Sequence, residues 1–291
     1  MRKILLAASA VAVLAMSACA SENTTVTPPA TGAAGSPSAS PSQHCTPTAL
    51  HLYKPGQLTV ATDSPVYPPW FINNKPSNGK GYESAVAYAI AQQLGFTKDQ
   101  VKWVVEPFNS SYAPGPKKFD FDINEVSVTP QRAQAVTFSD GYYDVTQALV
   151  AMKSSRLVSA HSPTDLPNYT YGAQVGTTSL AYIQQSIKPS KQPAVFDTTN
   201  DAKSALQNGR IDALVLDLPT AAFVSADEIK GSTLVGQFPS VGEHFGLLLE
   251  QGNSLVTCLN QAIAALKGSG TLQTLQQQFL ADYLKVPTIQ P

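Results

Sequence analysis

Arg132 lies in "TPQRAQAVTFSDGYY" (129–143), where Thr129 reads as a helix N-cap and Pro130 as the first helical residue. A cation in a helix's first turn faces the positive end of the dipole, at a cost of roughly 0.3–1 kcal/mol. The placement makes chemical sense if an anion sits beside it. Helix N-termini bind anions, and a guanidinium grips a carboxylate through two parallel N–H donors. The plain alternative is a surface arginine or a pair with Asp140. A second anion-binding pattern is Gly176-Thr177-Thr178, which opens a helix just after a strand and offers backbone N–H groups and hydroxyls. It reads equally well as ordinary capping. Asp217 ends the apolar run "DALVL", where it could receive an ammonium or cap "LPTAAF". Asp63, Tyr67 and Trp70 fall in "ATDSPVYPPWF" (61–71). Aromatic rings there could wall a pocket and stack on a cation, or the loop packs its own aromatics. Taken together, an anion grip, a cation acceptor and aromatic walls complement a zwitterion carrying a side chain.

Such residues need strand ends to gather them, because open α/β sheets bind ligands beyond the carboxyl ends of their strands. "QLTVATD" (57–63) alternates and is β-branched, so it reads as a strand. "GYESAVAYAIAQQLGF" repeats its apolar residues at helical spacing and closes on Gly95. "VKWVVE" (101–106) is the next strand, giving a βαβ unit and a parallel sheet. The alternation continues. Residues 137–153 end in an apolar strand, 170–187 hold a strand, a glycine turn and a helix, 201–217 a helix and a strand, and 244–251 a strand. Residues 254–284 form two helices split at Gly268–Gly270. The expected architecture is α/β with two lobes on parallel or mixed sheets, the second lobe inserted into the first. Lobe 1 spans 45–145 and 246–291, lobe 2 spans 146–245, and a hinge crosses near 143–148 and 239–246.

The chain's 291 residues, 43% hydrophobic with net charge −1, suffice for two real cores and offer no basic footprint for nucleic acid. Four histidines and three cysteines, scattered, argue against a structural zinc site, and no cofactor is expected. Arg2 and Lys3 precede the short apolar stretch "ILLAASAVAVLA", which fits a signal peptide over 1–18. "MSAC" resembles a lipobox, making Cys19 the lipidated residue and the membrane a partner; ordinary secretion is the alternative. Residues 19–44, rich in Pro, Ser and Thr, cannot bury enough surface to offset their ordering entropy and read as a tether. That leaves Cys45 and Cys258 in an oxidising compartment, either disulfide-bonded or as separate thiols.

The motifs "LTVATDSPVYPPW", "VSVTPQRAQAVTFSDGYY", "GAQVGTTSLAYI" and "RIDALVLD" occur in one order. In that order the chain resembles the polar amino-acid solute-binding proteins of ABC importers, the extracellular solute-binding proteins of family 3, over roughly 55–285. The resemblance implies a periplasmic-binding-protein-like type II fold with a free amino acid as ligand. It implies an ABC permease as partner, a monomer, and no catalysis. It also implies residue roles. Arg132 would hold the α-carboxylate with Thr177 and Thr178, Asp217 the α-ammonium, and Ser127 would add a hydrogen bond. Trp70 and Phe108 would sandwich the side chain. Asn124 and Glu125 stand where the family often has small residues. Asp63 and Glu125 could both reach a distal cation, favouring arginine, lysine or ornithine; acting on amide hydrogens instead, they would favour glutamine or asparagine. An acidic ligand would need a lysine on the wall. Two rival classes keep the fold: a cyclohexadienyl dehydratase-like enzyme with Glu125 as acid or base, and a sensory or adhesive surface protein.

Overall fold

Leu58–Thr62 carries three β-branched residues and is buried at every position, which marks a strand covered on both faces. The computed structural model describes residues 45–160 and 162–289. The expected signal peptide, Cys19 and the tether over 19–44 lie outside the described residues. In chain order the elements are β1 (Leu58–Thr62), α1 (Tyr82–Gln93), β2 (Val101–Val105), α2 (Phe108–Ser111), β3 (Phe121–Asp122), β4 (Val136–Asp144), β5 (Gln147–Met152), β6 (Tyr171–Gln174), α3 (Thr178–Tyr182), β7 (Ala194–Phe196), α4 (Thr199–Gln207), β8 (Ala213–Asp217), α5 (Leu218–Phe223), β9 (Ser232–Gln237), β10 (His244–Glu250), α6 (Leu255–Gly268) and α7 (Thr271–Leu280).

Among the described residues the strands build two five-stranded sheets, ordered β2-β1-β3-β10-β4 and β7-β6-β8-β5-β9. In the first, β1 runs parallel to β2 and β3, and β10 returns antiparallel between β3 and β4. In the second, β6 is parallel to β7 and β8, and β5 is antiparallel to β8 and β9. Residues 137–153, expected to end in a strand, hold parts of two. β4 belongs to one sheet and β5 to the other, with only Val145 and Thr146 between them. The second passage between sheets is Phe238–Glu243, from β9 to β10.

Each lobe has its own core. The first packs Leu58, Val60, Val86, Ile90, Phe245 and Leu259 between its sheet and α1, α6 and α7. In the second, β5 sends Leu149 and Ala151 to one face and Ala148 and Val150 to the other, so both faces are apolar. The C-terminal end departs from the expected boundary. Gln237 N–H donates to Pro287 O at 2.9 Å, Ile289 N–H donates to Gln237 O at 2.8 Å, and Ile289 is buried in the second lobe. Lobe 1 therefore does not keep all of 246–291. β9 is an edge strand with unpaired backbone groups, and the tail fills that edge.

Cys45 and Cys258 are joined by a disulfide, Cα–Cα 5.4 Å, which ties the start of the described chain to the buried face of α6 across a sequence separation of 213. Closing so long a loop restricts the unfolded chain. Replacing both cysteines with alanine is expected to lower the unfolding free energy by about 2–5 kcal/mol. Urea denaturation checks this; an unmoved midpoint would show the bridge to be thermodynamically idle.

Candidate functional site

Asp63 follows β1, Asp217 ends β8, and Gly176-Thr177-Thr178 joins β6 to α3, so three strand ends converge. They border a cavity of about 320 Å³ lined from both lobes. Asp63, Tyr67, Trp70, Phe108, Glu125, Ser127 and Arg132 reach it from the first; Thr177, Thr178 and Asp217 reach it from the second. Its lining carries five carboxylates (Asp63, Glu125, Asp197, Asp217, Glu228) against two cations, Arg132 and Lys203.

The segment before Arg132 differs from the expected helix. Arg132–Gln134 is a single 3-10 turn, and β4 begins at Val136. Thr129 still acts as a local cap, its hydroxyl accepting the Arg132 N–H at 3.2 Å. A three-residue turn has almost no macrodipole, so the electrostatic objection to a cation there disappears. Arg132 is 8% exposed. It donates through one amino group to Ser127 O at 2.7 Å and through the other to Gly176 O at 2.9 Å. Phe108 and Tyr112 cover it, with ring centroids 5.3 and 4.7 Å away. Desolvation pulls its pKa down from the ordinary arginine value, opposed by Tyr112, Asp217 and Glu243. The bond to Gly176 crosses between lobes. Gly176 has φ +75°, and a Cβ there would sit 2.3 Å from the Tyr112 hydroxyl, so only glycine fits this turn.

Thr177 caps α3. Its hydroxyl accepts the Leu180 N–H at 3.1 Å and donates to Gln174 O at 2.8 Å, so capping occupies it. Thr178 Oγ1 lies 3.4 Å from Ser127 Oγ across the cavity. Asp217 occupies the N-cap position of α5 without making a capping bond. Its Oδ1 instead accepts from Gln147 Nε2 at 2.6 Å. The same amide nitrogen reaches Glu243 Oε2 at 2.9 Å, while Gln147 Oε1 accepts from Ser179 at 2.7 Å. Glu243 Oε1 in turn accepts from Ser127 Oγ at 2.6 Å. This chain runs along both crossings between lobes. Burial, then the nearby Glu243 carboxylate, pushes the Asp217 carboxyl well above its ordinary value.

Trp70 departs from the expected stacking wall. It is 1% exposed and meets Tyr82, Tyr143 and Phe245 edge to face at centroid distances of 5.4–6.0 Å. Its indole N–H donates to Thr220 Oγ1 at 2.7 Å. The aromatic core packs around its ring, and it lines the cavity from there. Thr220 passes the bond on, donating to Glu125 Oε2 at 2.7 Å. Glu125 sits at φ +53°, its N–H donating to Glu83 Oε1 at 2.7 Å, and Glu83 also accepts from the Tyr142 hydroxyl. Burial pushes Glu83 up to about 7 and, together with the Glu83 charge, pushes Glu125 well above the ordinary range. Asp63 accepts from the N–H groups of Ser64 and Phe108 at 2.7 and 3.3 Å.

Several residues of the site escaped the sequence reading. Gln147 had a faint signal, a polar residue opening an apolar strand. Glu83, Glu243 and Lys203 had none, because charged residues in a helix turn, a loop and a helix face normally meet water.

Residues 58–282 match the family model of the bacterial extracellular solute-binding proteins, family 3. The chain is 28% identical over 240 residues to the L-arginine-binding protein of Pseudomonas aeruginosa, covering 77% of this chain and 90% of that one. It superposes on an ancestral arginine-binding protein bound to glutamine with TM-score 0.64, at 30% identity, covering 77% of this chain and 97% of the other. It also matches an ancestral amino acid-binding protein described as a precursor of cyclohexadienyl dehydratase, with TM-score 0.63 at 26% identity, covering 77% and 95%. These neighbours share the two-sheet architecture of type II periplasmic amino-acid-binding proteins. The matched span runs from β1 through α7 and encloses every residue on the cavity wall, so the chain belongs to the bacterial extracellular solute-binding proteins of family 3, as a polar amino-acid-binding member.

Proposed function

We propose that this protein captures a free L-amino acid with a cationic side chain and delivers it to an ABC permease; arginine, lysine and ornithine come first, glutamine and asparagine next. The observation that carries this reading is that Arg132 and Asp217, from opposite lobes, line one cavity. In this reading the remaining donors of the five-donor Arg132 fork take the α-carboxylate, helped by the Thr178 hydroxyl and Ser127. Asp217 takes the α-ammonium. Phe108 and Tyr67 flank the side chain, Trp70 lines its cavity, and Asp63 with Glu125 meets the distal charge. The excess of carboxylates on the wall supports a cation there. So do the arginine-binding names of relatives, although one such structure holds glutamine. Lobe closure about the two crossings then seats the ligand. Lipidated Cys19 anchors the monomer outside the cytoplasm, with residues 19–44 as its leash and the lobes divided at the crossings.

Melting-temperature shifts across the twenty amino acids and ornithine test this, since a ligand bound only by the folded state stabilises it. The expected result is the largest shift with a basic amino acid. No shift with any amino acid would end the reading. A second reading, a cyclohexadienyl dehydratase-like activity, draws on Glu125, a buried carboxyl beside the cavity whose pKa burial and the Glu83 charge push up. Turnover of prephenate or arogenate would establish it in place of transport.

A further inference from the structure

α4 turns a lysine inward. Lys203 is 9% exposed, and its Nζ lies 2.7 Å from Glu228 Oε2 and 4.7 Å from the centroid of the Tyr67 ring. One turn earlier, Asn200 Nδ2 donates to the Tyr67 hydroxyl at 2.6 Å. Tyr67 comes from the first lobe; Asn200, Lys203 and Glu228 come from the second, and all four line the cavity. Tyr67 therefore already carries a resident cation on its ring. That ammonium shares the wall with the carboxylates of Asp63, Glu125 and Asp197.

We propose that Lys203 is a specificity-determining residue that sets how strongly the cavity favours a charged over a neutral side chain, with Glu228 as its counterweight. The inference rests on the amino-acid reading above and deepens it. A ligand cation entering this wall meets attraction from the carboxylates and repulsion from Lys203. Glu228 screens that repulsion by holding the ammonium at ion-pair distance. The balance is electrostatic, so it acts on the ligand's charge and hardly on its shape.

L-arginine and L-citrulline have nearly the same shape and differ in charge, so the ratio of their dissociation constants isolates the effect. Calorimetry on the wild type, Lys203→Met and Glu228→Gln at one ionic strength gives that ratio for each. Lys203→Met is expected to raise the preference for arginine over citrulline by roughly three- to tenfold, and Glu228→Gln to lower it by a similar factor. Citrulline, with an uncharged side chain, takes up whatever each variant does to packing and lobe closure, so the ratio keeps the effect on charge. Both variants shifting the ratio in the same direction, or shifting both ligands alike, would overturn the proposal. Should Lys203→Met fold poorly, as judged by its melting temperature, Lys203→Gln and the Glu228 variant still give opposite signs. A wild type that binds neither ligand would instead refute the cationic amino-acid reading and leave the distinction plain.

Discussion

Arg132→Ala is expected to weaken amino-acid binding by about two to three orders of magnitude, measured by calorimetry. Micromolar affinity corresponds to about −8 kcal/mol. Removing one partner of a buried charge pair costs roughly 3–5 kcal/mol, because the other charge is left desolvated and alone. The low exposure of Arg132, under Phe108 and Tyr112, keeps solvent from compensating. Arg132 also has a structural duty, since its bonds to Ser127 O and Gly176 O connect the arginine turn to the other lobe. Arg132→Lys separates the two roles. It keeps the charge and loses the fork, so roughly a ten- to hundredfold loss is expected if bidentate geometry matters. An affinity for the alanine variant equal to the wild type would remove Arg132 from the ligand's contacts, whatever happened to stability.

Among the elements, β1, α1, β2, β8, β10, α6 and α7 were legible because β-branched strands and apolar helix faces differ in period; β3 and β7 carry too few residues to show one, and the Ser, Gly and Gln of β9 break up its run. Asp63, Gly176–Thr178 and Asp217 were legible as candidates because each lies at the carboxyl end of a strand, although those strands belong to two sheets; Arg132, in a turn before β4, stood out by its chemistry alone. What a side chain does once there was less so. Trp70 and Thr177 have the right chemistry in the right place, yet an aromatic core and a helix end occupy them first. Packed rings and satisfied hydroxyls are tertiary facts with no local signature. Gln147 and Glu243 gain meaning only when the two crossings run side by side and one amide spans two carboxylates. The tail that completes the edge of β9 was hidden too, because Val286, Pro287, Thr288 and Ile289 are too short a run to show a period.

Asp217→Asn should separate function from stability, in opposite directions. Asparagine keeps an acceptor for the Gln147 amide while losing the charge, so ligand affinity is expected to fall by two orders of magnitude or more, at roughly 3–5 kcal/mol for an unpaired ammonium. The unliganded protein, however, should become more stable at neutral pH. Burial and Glu243 raise the Asp217 pKa, with Glu83 adding to the repulsion and Gln147 and Arg132 opposing it; Tyr143 and Glu125 sit in the same field. A carboxyl whose folded pKa lies above its unfolded value contributes stability that is fully present below the unfolded value. That contribution is lost as pH rises through the folded value. Rising pH therefore drains stability from the wild type without ligand, and an arriving ammonium restores it by favouring the ionised form. The melting-temperature gap between liganded and unliganded protein should widen with pH in the wild type. In Asp217→Asn the part of that slope due to this residue vanishes, leaving the part due to Glu125. A variant that binds as tightly as the wild type, or whose unliganded melting temperature falls at neutral pH, would show that Asp217 is a structural acid rather than a site held under electrostatic strain for an incoming cation.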